Sequence, residues 1–236
     1  MQTSFYTAGT ATVQSQKGLD VLANNIANVA TTGFKTQSPA FSDLLYTNMN
    51  YDNEDLKLGH GARLAKADTI FGVGAMNTTG RELDFALTET NAFFAVRTNE
   101  GVKFTRDGGF IMSEQQDGTF HLATGDGFSI LGVDGQPIVI DPNEKLSGLQ
   151  TRIGVYSFDN IDGLERAGSN RFNATERSGE AYLGDNSCVE QGMLEASAVD
   201  YADQITNVIK SQRAFQFNAR MVQISDEIMQ TVNNMR

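Results

Sequence analysis

Apolar residues step by three and four at both ends of this chain and by two in its middle, so neither an all-helical nor an all-strand layer accommodates it. At the amino end Phe5, Ala8, Thr12, Ser15, Leu19, Leu22, Ile26 and Val29 keep the three-four spacing, which predicts a helix with one seam turned toward a partner. Gly33 follows the last seam residue, where a glycine in the left-handed conformation closes a helix, and Pro39 bars continuation. We therefore expect a helix ending near Thr31 with Gly33 as its stop. The carboxy end repeats the pattern through Ala198, Tyr201, Ile205, Val208, Gln212, Phe215, Ala219 and Val222, then drifts toward Ser225, Met229 and Val232.

Between these ends the period changes. "ELDFAL", "FFAVRT", "VKFTRDGGFIMS", "GTFHLATGDGFSIL" and "GQPIVID" alternate apolar with polar residues and are separated by Asp-Gly and Gly-Gly turns, which predicts short antiparallel strands. The segment from Phe41 to Gly80 is less regular: "FSDLLYTNM" fits a helical turn or a strand, and "NYDNEDLKLGHGARL" reads as an exposed loop. The expected class is α+β, with amino- and carboxy-terminal helices paired as a coiled coil and a central all-β domain. The expected boundaries are residues 1–36 with 190–236 for the helical domain, 37–82 for an extended linker and 83–189 for the β domain.

A carboxy helix of roughly 35 residues is about 50 Å long and an amino helix of about 27 residues is about 40 Å long, more than the diameter of a small domain. Two such helices pair along one seam and leave apolar surface on their outer sides, so something outside the chain is expected to cover them.

Composition narrows the function classes. With 236 residues and 40% hydrophobic content the chain can bury one substantial core or two modest ones. No stretch approaches 18 apolar residues, and no basic region precedes an apolar run at the amino end, so neither a membrane span nor a cleaved secretory signal is expected. Cys188 is the single cysteine, which rules out an intramolecular disulfide. The net charge of −11 sits in the middle of the chain: Lys17 and Asp20 cancel within residues 1–33, and the last 42 residues sum to −1. Without clustered Lys and Arg, neither nucleic acid nor an anionic membrane is an expected partner.

Asn24, Asn25 and Asn28 flank the seam residues Leu22, Ile26 and Val29. Amides on a helix commonly face water. They also make cross-helix hydrogen bonds that fix register, and the other polar seam positions, Thr12, Ser15 and Gln212, are likewise uncharged. Phe215 falls on the carboxy seam and Phe217 well away from it, which suits a contact with a neighbouring subunit or with the chain's own β domain.

No residue pattern points to catalysis. His60, His121 and Cys188 are far apart in sequence and lie in no metal-ligand or nucleophile spacing. The loops "DGTF", "TGDGF" and "DNIDG" lack the twelve-residue calcium pattern, and "GVG" at Gly72–Gly74 lacks the third glycine of a phosphate cradle. No cofactor and no metal is expected.

"LDVLANNIANVATTGFK", "TRDGGF" and "QGMLEASAVDYADQITNVIKSQRAFQFNARMVQISDEIM" resemble the flagellar basal-body rod and hook protein family, the terminal matches covering about a quarter of the chain. The resemblance implies an axial structural protein whose terminal helices form an inner coiled-coil tube with the β domain outside it, exported through the flagellar type III apparatus into the cell envelope without a cleaved signal. It implies other rod and hook subunits as partners, and peptidoglycan or ring proteins are the further candidates. Chain length and "FSDLLYTNM" look more like rod members than the longer hook protein, and we favour a distal rod position over a proximal rod or hook one. The chain departs from the family where Glu89, Thr90, Asn91 and Ala92 precede Phe93, and where Ala30 stands in place of a frequent asparagine.

The expected subunit interface is Leu19, Leu22, Asn24, Asn25, Ile26, Asn28, Val29, Ile205, Val208, Phe215, Phe217, Val222 and Met229. Two rival classes are a closed coiled-coil binding module and a polysaccharide hydrolase using carboxylates such as Asp107 and Asp126, which needs a pair about 5 to 10 Å apart in a cleft.

Overall fold

The computed structural model describes residues 2–48, 57–115, 118–141, 146 and 148–235. They divide into two compact units, one within Met1–Ala27, Gln37–Thr69 and Asp200–Arg236, the other Asn28–Thr36 with Ile70–Val199.

The first unit is built on α1, Gln2–Ala27, and α2, Tyr201–Asn234, which pack against each other. Asp200 starts α2 by accepting from the backbone N–H groups of Ala202 at 2.9 Å and Asp203 at 3.1 Å, satisfying two donors that a helix start leaves open. Within α1 the hydroxyls of Thr10 and Thr12 donate to the carbonyls of Tyr6 and Ala8, which lets polar residues sit inside a helix without competing for other partners. The carboxy end of α1 meets the amino end of α2, so the two run antiparallel. At equal rise, the start of α1 lies abreast of about residue 227 of α2, so the last turns of α2 extend past it.

The same unit holds an antiparallel pair, Gln37–Asp43 with Ala62–Thr69, whose register shifts between Ala40 and Phe41. It packs on α1: Gln14 accepts from the Leu64 N–H at 2.9 Å, and Phe41 lies over Gly18, where a Cβ would come 2.8 Å from the ring. A shorter ladder joins Tyr46–Asn48 to Lys57–Gly59. Phe41–Asp43 and Tyr46–Asn48 therefore settle the turn-or-strand alternative as strand. Residues 57–64 are largely strand instead of the expected loop, and the rest of that expectation, 50–56, lies outside the described residues. Only one face of Ala62–Thr69 is part-covered, so it carries Ala and charged residues in place of a clear apolar alternation.

The second unit is antiparallel β structure. Ala92–Thr98 is its central strand, pairing with Gly101–Thr105 on one side and with Ser129–Ile130 and Val155–Ser157 on the other. Five consecutive residues from Ala92 to Val96 are fully buried because both faces of this strand are covered. Phe94 and Val96 enter one core with Phe85, Phe110, Ile130 and Val155, while Phe93 and Ala95 enter another with Phe71, Phe104, Phe158 and Phe172. Edge-to-face ring pairs order both, Phe94–Phe110 at 5.1 Å and Phe104–Phe158 at 4.8 Å. The strands expected over 83–158 are present, and pairing continues to Met193–Glu195, which lies beside Met76–Thr78.

Two segments of this unit, the one after α1 in sequence and the one before α2, lie side by side. The Gly33 N–H donates to the Glu195 carbonyl at 2.8 Å, and the Ala198 N–H to the Phe34 carbonyl at 2.9 Å. The Thr36 hydroxyl adds a bond to the Ala198 carbonyl at 2.8 Å. Gly33 has φ +63, the left-handed conformation expected of it, but α1 ends at Ala27 and not near Thr31. Turns held by Asn28 and Thr31 intervene. Gly33 is needed for another reason: a Cβ there would stand 2.5 Å from the Arg106 carbonyl oxygen.

Candidate assembly surface

Seam residues of the helical unit are covered unequally. Leu22 is buried, Leu19, Ile26, Ile205, Val208, Phe215 and Val222 are half-buried, and Asn24 and Met229 are exposed. Met229 belongs to the stretch of α2 that extends past α1, which explains its exposure on the seam side. In the second unit Asn28 is half-buried and Val29 exposed.

Asn25 is fully buried and uses its amide inside the chain. Its Nδ2 donates to Gln204 Oε1 at 3.0 Å and to the Gln37 carbonyl at 2.7 Å, while its Oδ1 accepts from the Gln37 N–H at 2.9 Å. The cross-helix amide bond expected for this cluster thus exists between α1 and α2 of one molecule. Leu22 and Asn25 offer no surface to a neighbour in the isolated chain.

A further run of exposed apolar residues lies elsewhere on α2. Ile209, Phe217, Met221, Ile224, Ile228, Val232 and Met235 are between 41% and 75% exposed, and their spacing, apart from Arg213 between the first two, is three or four residues. At about 100° per residue this second stripe is centred roughly opposite the seam of Ile205, Val208, Phe215 and Val222. Phe217, at 66%, is its most exposed aromatic, and it borders a shallow hollow with Gln212, Arg213, Gln216 and Arg220. On α1 the exposed Tyr6 and Val13 flank Gly9, above which a Cβ would meet nothing within 4 Å. Of this surface, sequence reasoning singled out Phe217 and reached Val232 only as the drifting end of the seam; the three-four steps running on from Phe217 were the available signal for the rest.

Apolar stripes on opposite faces of one helix suit packing between two neighbours, one within the chain and one outside it. Among the described residues no group of His, Cys, Asp or Glu is arranged to hold a metal, and no helix is long and apolar enough to cross a membrane.

The segments that carry these features are the ones that match known families. Residues 5–35 match the model described as flagella basal body rod protein, and residues 190–235 the one described as flagellar basal body rod FlgEFG protein C-terminal. The whole chain aligns with the flagellar basal-body rod protein FlgG of Bacillus subtilis, at 32% identity with 100% of each chain covered. This chain belongs to the flagellar basal-body rod protein family. The rod protein is also 28% identical to FlgG of Borreliella burgdorferi, covering 100% of this chain and 99% of the other. It is 28% identical to the flagellar hook-basal body complex protein FlhP of Bacillus subtilis over 100% of both. It is accordingly a structural component of the basal-body rod, and its family implies assembly with other rod and hook subunits.

Proposed function

We propose that this rod protein acts mechanically, as an axial subunit at the distal end of the rod, and carries no enzymatic activity. The exposed stripe of α2 is the observation that carries this reading. Neighbouring subunits cover it by a contact between unlike surfaces that does not close on itself, which generates an open helical tube. Packed helices then resist bending and twisting, so the tube transmits torque through the cell envelope. Proximal rod or hook subunits are the alternative position in the same axis, and peptidoglycan and ring proteins are the further partners we propose on its outside. In this account the interface includes Leu19, Asn24, Ile26, Asn28, Val29, Ile205, Val208, Phe215, Phe217, Val222 and Met229, joined by Met221, Ile224, Ile228 and Val232.

Concentrating the purified chain tests this. Wild type is expected to form open-ended polymers or to join pre-formed rod, and Phe217→Asp with Ile224→Asp to remain monomeric with unchanged helix content. A closed particle of fixed size for the wild type, or polymers from the doubly substituted chain, would overturn it.

A further inference from the structure

Three charged side chains with no solvent exposure meet in the central unit: Lys35, Arg106 and Glu195. Both carboxylate oxygens of Glu195 are used. Its Oε1 accepts from Lys35 Nζ at 2.5 Å and from the Gly74 N–H at 2.7 Å, and its Oε2 from Arg106 Nε at 2.8 Å. The two cations also donate to main-chain carbonyls: Lys35 to Gly72, and Arg106 to Leu87, Glu89, Thr90 and Ala92. Among the described residues Glu195 is the sole carboxylate bonded to either cation.

The cluster carries two positive charges and one negative. Carbonyl dipoles can orient a buried cation but cannot neutralise it, so removing the carboxylate would leave Arg106 charged and unpaired and Lys35 either charged beside it or forced to give up its proton, each at a cost. Glu195 also arrives late. It is 160 residues from Lys35 and 89 from Arg106, on a strand near the carboxy end.

We propose that Glu195 is a closing group: the central unit reaches its packed state only when the strand Met193–Glu195 has delivered this carboxylate between Lys35 and Arg106. Residues 28–190 can approach this topology, but they cannot lock it, because they would bury the Arg106 charge with no anion and Lys35 either as a second like charge or stripped of its proton. A synthesised chain therefore holds its β unit unlocked until its carboxy-terminal junction is available. The device works within one chain and stands whether or not the outer stripe of α2 is an assembly surface.

Limited proteolysis of the full chain, read by mass spectrometry for cuts within residues 70–199, tests it. Glu195→Gln is expected to speed these cuts at least about tenfold, through a larger population of the open unit. Adding Lys35→Met, which leaves Arg106 as the single charge of the cluster, is expected to restore part of the resistance, although each change alone deletes contacts. Glu100→Gln, at a solvent-exposed carboxylate paired with Lys103 in the same unit, is the control and is expected to leave the rate unchanged. Where Glu195→Gln yields only insoluble chain, recovery of soluble protein by Lys35→Met replaces the rate as readout. Wild-type resistance in Glu195→Gln overturns the proposal. So does a double variant that is no better than Glu195→Gln.

Discussion

The Nδ2 of Asn25 lies 3.0 Å from the Oε1 of Gln204, both side chains buried where the end of α1 meets the start of α2. Asn25→Ala strands Gln204 and the Gln37 backbone without this partner, and burying unsatisfied polar groups costs about 1–3 kcal/mol. We expect a corresponding fall in the stability of the helical unit, seen by thermal unfolding in far-ultraviolet circular dichroism. Combining it with Gln204→Leu should restore part of the loss, because removing both partners of a buried hydrogen bond costs less than removing one.

Gly33→Ala and Gly80→Ala separate two costs of a glycine. Both positions have positive φ, +63 and +69, but a Cβ at Gly33 meets the Arg106 carbonyl at 2.5 Å while one at Gly80 meets nothing within 4 Å. Gly80→Ala should cost about 1 kcal/mol from conformation alone. Gly33→Ala should cost clearly more in urea unfolding, because backbone must move.

The pH profile of the central unit should carry the signature of Lys35. Burial and the neighbouring Arg106 lower its pKa to about 8 from 10.5, against the opposing pull of Glu195. The unfolded chain therefore binds the extra proton between these values, and stability contributed by this group rises as pH increases from about 8 to 10.5. Below pH 8 its contribution is flat. The difference in unfolding free energy between wild type and Lys35→Met, measured across pH 6–10.5, should show this rise. Burial alone would raise the pKa of Glu195, but Arg106, the Gly74 N–H and Lys35 hold it below its ordinary value. Its contribution is thus present above about pH 4.5 and is lost as pH falls through the lowered value.

Leu22 and Phe217 should respond in opposite ways. Leu22 is 4% exposed, so Leu22→Ala is expected to cost about 2–5 kcal/mol in the isolated chain. Phe217 is 66% exposed, so Phe217→Ser should change monomer stability by no more than about 0.5 kcal/mol while weakening assembly. Thermal unfolding and sedimentation of the two variants check the contrast.

The helices were legible because Leu19, Leu22, Ile26, Ile205, Val208 and Phe215 keep a strong period, and the strands around Phe93 and Phe94 because Asp-Gly turns punctuate them. The left-handed Gly33 was legible as a conformation, but its reason was not, since the Arg106 carbonyl it must clear is far away in sequence. The strands from Gln37 to Thr69 were hidden by small and charged residues on a half-covered face. Nothing in the sequence marks Lys35, Arg106 and Glu195 as a cluster, because only long-range folding brings them together. The second stripe of α2 was overlooked because one seam already accounted for the helical period.

Thiol accessibility at position 214, one turn before Phe217 on the outer stripe of α2, reports whether a neighbouring subunit covers that stripe. With Cys188→Ser removing the native thiol and the exposed Ala214→Cys supplying a reporter that leaves Phe217 in place, alkylation is measured in the free subunit and in assembled rod. Rapid labelling of the subunit and protection in the rod are expected. Equal labelling of both would contradict assembly through this stripe.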